Sequence, residues 1–377
     1  MQIRFKQVLV VLIALLPVIS SCKKEFSSDL PLTPTYTPSI LIGSQNGFVY
    51  ALDPETGNKK WEFFASAKIQ SSPLVLKNFV FVTAENGRIT KLDAKTGKVL
   101  TTYFIPGQIT STPVGDANYI YVGAGDNNVY SFDITTDQQQ WSAALGAGVF
   151  SSPVLFDTVV IVGCNDGAVY TLDRKNGNTV WSFSPGTGGA FTSSPVVKDS
   201  FVYIGSKDNK MYKLSIFDGS KIWEFTTGGP VNTSPILYGG NCIFGSDDGK
   251  LYCLDAIAGL PRWTPIDLHD RIYSSPFAHN QVIYIGSLDF NMYAVDVIDG
   301  IIKWRYTTKG IIKSSPLVFK DKLYFGSFDK YFYCLDPETG NLVWKQNING
   351  LIECSPAADN MDGSSKYTSS ISGNSPY

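Results

Sequence analysis

The feature that most constrains this chain is a tryptophan that returns every 40 to 42 residues. Trp61, Trp141, Trp181, Trp223, Trp263, Trp304 and Trp344 are all seven tryptophans present. One interval is doubled, and Thr101 stands where the missing member would fall. A tyrosine keeps the same beat at Tyr50, Tyr130, Tyr170, Tyr212, Tyr252, Tyr293 and Tyr333, with Thr90 in the irregular unit. A fixed period of this length is the mark of a repeat architecture, in which each unit buries its apolar faces against its neighbours. The register counts eight units.

Within a unit the pattern is that of short strands. One copy reads Ser193-Ser194-Pro195-Val196-Val197, then Phe201 to Ser206, Lys210 to Leu214 and Ile222 to Phe225. Four β-type runs separated by turn residues make one propeller blade. Tight turns between the second and third runs carry Asn46-Gly47, Asn86-Gly87, Asp166-Gly167 and Asp248-Gly249, a pairing suited to positive φ. Between the third and fourth runs stand Asp53 to Gly57, Asp93 to Gly97, Asp173 to Gly177 and Asp336 to Gly340. There the Asp side chain can cap the turn and Gly takes the left-handed position.

The strand that opens each unit is marked by an apolar residue three places before Ser-Pro or Thr-Pro. Its copies begin at Ile69, Ile109, Val149, Phe191, Val231, Ile272, Ile312 and Ile352. None precedes the first unit and one follows the last, so Leu351 to Ala358 is expected to return and complete blade one. Closure of this kind covers sheet edges that an open array would expose. The expected fold is therefore all-β: an eight-bladed β-propeller of four-stranded antiparallel blades over residues 40–358, closed by a C-terminal strand. Residues 359–377, rich in Ser, Asn and Gly, read as a disordered tail.

The N-terminus reads as processing signal. Arg4 and Lys6 precede an apolar run from Val8 to Ile19, the size of a signal-peptide core and short for a membrane span. It ends in Ile19-Ser20-Ser21-Cys22, which resembles the bacterial lipobox. Residues 1–21 are thus expected to be a lipoprotein signal peptide, with Cys22 lipidated as the mature N-terminus. The plainer alternative is a secretory signal with an incidental Cys. Acyl chains anchor through about 0.8 kcal/mol per buried CH₂. Residues 22–39, with three prolines, read as a flexible tether. Lys23 follows Cys22 where the inner-membrane retention signal has Asp, so resemblance favours the outer membrane, with the leaflet open. Lys23-Lys24-Glu25 resembles surface-export signals of some lipoproteins.

A net charge of −2, without a clustered basic face, is no footprint for nucleic acid. Partners are expected to be met through shape and apolar contact.

The segments Gly43 to Trp61 and Gly326 to Trp344 follow Gly-Ser-x-Asp-Gly-x-Val-Tyr-Ala-Leu-Asp-x-x-Thr-Gly-x-x-x-Trp most plainly. This resembles the PQQ-like (quinoprotein-type) β-propeller repeat across residues 40 to 358. The family includes quinone-dependent dehydrogenases. Its non-catalytic lipoprotein branch includes the outer-membrane β-barrel assembly factor BamB, and a lipoprotein propeller without added domains looks most like that branch. The second unit departs from the pattern, with Thr83 for Gly and Thr101 for Trp, through drift or as a contact surface.

Catalytic constellations do not emerge. A quinone enzyme of this family would need an aromatic channel floor, a metal-holding carboxylate group and a base. Here every Trp occupies the repeat slot, as inter-blade packing. The recurring Asp53, Asp93, Asp133, Asp173, Asp255, Asp296 and Asp336 are turn caps by position. The adjacent Cys pair common in the family dehydrogenases is missing. Only His269 and His279 could serve a triad, and no nucleophile elbow accompanies them. Cys253 and Cys334 share a strand slot with small residues and read as core fillers, and Cys242 with Cys253 could meet diagonally across a hairpin. No cofactor, metal or catalytic residue is therefore expected. Paired hydroxyls such as Ser71-Ser72 and Ser314-Ser315 ring the axis, either satisfying local backbone groups or lining a small-ligand channel.

The expected function is a non-enzymatic, monomeric scaffold that binds an envelope protein, such as a β-barrel assembly protein. Loops Leu145 to Phe150 and Phe183 to Phe191 are the expected contact surface. The alternatives are a PQQ-dependent oxidoreductase and a surface sensor or carbohydrate-binding propeller.

Overall fold

A computed structural model describes residues 37–359 and 365–366. The expected signal peptide 1–21, Cys22, and most of the expected tether and tail lie outside the described residues. Among the described residues there is no helix, and each of the eight repeats forms one antiparallel sheet. Blade five shows the design with Val196–Lys198 innermost, then Phe201–Ser206, Lys210–Ser215 and Lys221–Thr226 at the rim. The two middle strands are buried on both faces and read as near-continuous apolar runs. The rim strand alternates between exposed and half-buried positions, because only its inward side meets protein.

The ring closes as the repeat offset implies. Ala357–Asp359 pairs with Ser39–Gly43 in antiparallel register, Ile40 opposite Ala358 and Leu41 opposite Ala357. Ser365–Lys366 adds a short strand to the inner edge of that sheet, so pairing continues past residue 358.

Apolar burial lies in the seams between blades. One cluster joins Val154 and Ile161 of blade four to Val202, Ile204 and Tyr212 of blade five. Except for Ile109, which follows Thr83 of blade two, the leading apolar residue of each blade sits over the Gly that ends a strand of the blade before it. At Gly326, for example, a Cβ would lie 2.0 Å from Ile352 Cγ2.

Blade six departs from the four equal runs expected. Its rim strand shrinks to Ile266–Asp267, because Pro261 and Pro265 cannot donate to the ladder. Arg262 N–H to Cys253 O (2.9 Å) and Asp255 N–H to Leu260 O (2.7 Å) keep the edge partly paired.

Deleting residues 351–377 should leave blade one without its inner strand and open the ring. The truncated protein is expected to aggregate or lose its single cooperative urea transition. Deleting 367–377 alone should leave the transition unchanged. Size-exclusion chromatography and urea melts check both outcomes.

Candidate functional site

Six of the tryptophans stand in rim strands and Trp263 stands just before the short one of blade six, and each reaches across a seam. A one-residue bulge lies directly before Trp61, Trp141, Trp181, Trp304 and Trp344, and re-aims the indole toward the next blade. Every indole N–H donates to a turn carbonyl of the following blade. The acceptors are Ala94, Arg174, Ile216, Ala256, Val297, Pro337 and, across the closure, Pro54, at 2.8–3.4 Å. The same turn presents its left-handed Gly to the ring face. At Gly219, φ is 71° and a Cβ would lie 2.5 Å from Trp181.

Blade two, which lacks the Trp, shows what the seam requires. Lys91 Nζ donates to Ile134 O at 2.7 Å, supplying the donor to the carbonyl that an indole would otherwise reach. Without an indole to clear, the left-handed turn position of blade three holds Asp137 (φ 58°) in place of Gly. Asp137 accepts from Thr101 Oγ1 at 2.9 Å, Tyr103 Oη at 2.6 Å and Lys91 Nζ at 3.1 Å. A Trp–Gly contact has been exchanged for a polar cluster, so the irregular second unit is a coherent seam. Burial would raise the Asp137 pKa, but the Tyr103, Lys91 and Thr101 hydrogen bonds outweigh it and hold it below the usual carboxylate range.

The axis carries a second ring of bonds. The second hydroxyl of each pair accepts a backbone N–H from the preceding blade. The circuit runs Ser72, Thr112, Ser152, Ser194, Ser234, Ser275, Ser315, Ser355 and back to Ser72, at 2.9–3.1 Å. The first hydroxyl of the pair binds its own blade, as Ser151 Oγ does with Gly163 N and O, both at 2.8 Å. Cys354 fills that slot in blade one, its Sγ 3.1 Å from Gly43 N and 3.0 Å from Gly43 O.

The channel inside this ring has a volume near 120 Å³, below the roughly 300 Å³ at which ligand pockets begin. Its lining carboxylate Glu353 is engaged by Gln45 and Lys313, and the lining Gln70 donates to Glu85. Among the described residues no cluster of His, Cys, Asp and Glu is placed to hold a metal ion. These donors do not fit a quinone with its metal, because the indoles that would form its floor are committed to the rim.

The recurring carboxylates cap their turns. Asp53 Oδ1 accepts from Glu55 N and Thr56 N at 2.9 Å, and Asp336 repeats this with Glu338 and Thr339. His269 is exposed in a loop and its backbone N–H donates to Asp267. Cys164, Cys242, Cys253, Cys334 and Cys354 are buried free thiols. Cys242 and Cys253 pack into different clusters on opposite faces of blade six, so the diagonal approach does not occur. Burial pushes the Cys164 thiol up to about 11 and Cys354 up to about 12.

Exposed apolar surface lies away from the loops expected from sequence. Phe191 is fully buried over Gly163, and Leu145 and Phe150 are half-buried. The three most exposed large apolar residues instead share one repeat slot in consecutive blades, at the turn before the rim strand. They are Phe217, Ile257 and Ile298, at 76%, 80% and 71% exposure. Leu260 and Ile301 extend the row. In other blades the slot holds Glu55, Lys95, Thr135, Lys175 and Glu338. The signal was present in the repeat alignment, but only as a change of character within one slot.

Two outcomes are expected. Thr101→Trp alone should cost about 1–3 kcal/mol by overpacking against Asp137 and Lys91. Combining it with Asp137→Gly and Lys91→Ala should recover most of that loss in urea melts, since residues sharing one contact are non-additive. Asp137→Asn should cost about 1–2 kcal/mol at pH 7. Because the folded carboxyl has the depressed pKa, its stabilisation is full above the unfolded value of about 3.9 and fades as pH falls through the folded one. The wild-type advantage should therefore begin to shrink in acid melts below about pH 4 and disappear only once pH is below the depressed folded value.

Comparisons with known proteins agree with this architecture. A family model described as outer membrane protein assembly factor BamB matches residues 20–104, 106–236, 165–264 and 235–351. No curated protein sequence matches the chain significantly. Among solved structures, BamB from Moraxella catarrhalis superposes with TM-score 0.66 at 19% identity, covering 76% of this chain and 90% of that one. A computationally designed protein gives 0.69 at 17% identity, with 77% and 90% coverage. A quinohemoprotein alcohol dehydrogenase from Pseudomonas putida gives 0.66 at 14% identity, with 85% and 71% coverage. At these identities the structures share the fold alone. Eight closed four-stranded blades and a family match along most of the sequence lead to one assignment: the chain belongs to the PQQ-like β-propeller family described as outer membrane protein assembly factor BamB.

Proposed function

We propose that this protein is a non-enzymatic scaffold, lipid-anchored at Cys22 to the bacterial outer membrane, whose propeller binds a β-barrel assembly protein. The observation that carries the reading is the row Phe217, Ile257 and Ile298. Single exposed apolar residues are ordinary, but a row shared by adjacent blades marks an interaction surface. A soluble propeller gains nothing from replacing Glu, Lys or Thr with Phe and Ile at three successive turn tips. The family match and the lipobox-like Ile19-Ser20-Ser21-Cys22 support the partner class and the location. Residues 1–21 serve as the signal peptide in this reading, and 22–39 as the tether.

The lipidated, tagged protein should co-purify from gently solubilised envelopes with a β-barrel insertase and its accessory lipoproteins. The triple variant Phe217→Asp, Ile257→Asp, Ile298→Asp should lose them while its melting temperature stays within a few degrees, since exposed positions contribute within about 0.5 kcal/mol each. Cys22→Ala should leave the membrane fraction. Recovery of the wild-type protein alone, or equal capture by the triple variant, would sink the reading.

A further inference from the structure

Between blades three and four a cleft of about 500 Å³ opens on the rim side, separate from both the channel and the apolar row. Its origin can be read from the repeat. At the end of the innermost strand, blades two, four, six and eight carry Leu76, Phe156, Tyr238 and Phe319. Blade three has Asp116 there. On its third strand, Ser131 takes the slot that Lys91 and Lys213 fill in blades two and five. Asp116 in place of the large apolar side chain of those four blades, beside a Ser131 slot that is small in most blades, leaves the space unfilled.

The cleft is built for more than solvent. Tyr121 and Trp141 line it with ring centroids 5.8 Å apart, and Trp141 is fixed by its bond to Arg174 O at 2.9 Å. The Arg174 guanidinium donates to the Asp116 carboxylate and to Asp157 O, and lies 5.8 Å from the Tyr121 ring centre. Both charged groups are held in place with part of each still exposed. Ser131 is fully buried, lines the cleft, and its Oγ has no hydrogen-bond partner among the described residues. Thr171, its counterpart one blade on, also lacks a partner but does not line the cleft. An unpaired buried hydroxyl costs free energy that a ligand's polar group can recover.

We infer that this cleft is a binding site for a neutral saccharide. Its volume falls in the range of small-ligand sites. Charges at its wall balance, Asp116 and Asp157 against Arg174 and Lys175, so a charged ligand finds no uncompensated partner. A sugar ring sets its C–H face on aromatic carbon while its hydroxyls both donate and accept at the edge. That need is met by Asp116 as acceptor, Arg174, Asn118 and Gln140 as donors, and Ser131 as either. A purely aromatic ligand would leave these groups unpaired.

The test is calorimetric titration of the mature, full-length protein with maltose, cellobiose and diacetylchitobiose, alongside saturation-transfer NMR. At least one should bind with Kd at or below about 1 mM. Ser131→Lys, which copies the side chain of blades two and five, and Asp116→Leu, which copies Leu76, should each weaken binding at least about tenfold. Gln140→Ala, at an exposed position, gives a third variant with no bearing on folding, and circular dichroism melts confirm that all three fold. Absence of binding by all three disaccharides up to about 10 mM overturns the assignment. So does binding that every folded variant retains, because the sugar then lies elsewhere.

Discussion

Everything in this molecule depends on how one blade holds the next. Each seam has a hydrogen bond near the rim, to a turn carbonyl, and another at the axis, from a backbone N–H to a hydroxyl. Between them lies the apolar packing. The polar bonds matter because the seam is buried: a turn carbonyl or strand N–H sealed there without a partner costs about 1–3 kcal/mol. These bonds repeat around the ring, and closure by Ala357–Asp359 brings Ser355 in to complete the axial circuit between Ser315 and Ser72.

Blade two separates the requirement from the residue that usually meets it. What the seam needs is a donor to the carbonyl of residue 134 and a space-filling contact with the following turn. Lys91 supplies the first; Thr101, Tyr103 and Asp137 supply the second. A similar freedom operates elsewhere for different ends. Turn tips that no seam uses have become Phe217, Ile257 and Ile298, and Asp116, where four other blades carry a large apolar side chain, borders a cleft. The channel shows the reverse case, since its hydroxyls are spent on closing the ring.

Legibility followed the range of each interaction. The Asp turn caps and the strand pattern are local, so residue type and spacing declared them. The Gly positions were legible as turns, but their second duty, clearing an indole of the preceding blade, was not, because the indole sits about 36 residues earlier in sequence. Thr101 looked like a flaw in the pattern for the same reason: the compensating Lys91 finds its partner 43 residues away. Phe191 and its neighbours suggested an exposed loop, yet Phe191 is the lead residue over Gly163 and is wholly buried.

The sequence by itself determined the eight blades, their four-strand make-up, the offset closure and the family, because a strict period leaves each unit able to bury its faces only against its own kind. Tertiary structure alone decided which atoms meet across the seams, that the axial hydroxyls form a closed circuit, and where the ring leaves surface or space unfilled. Those facts belong to pairs of residues from different repeats. A periodic sequence states what each slot contains, and only the closed ring brings one slot against another.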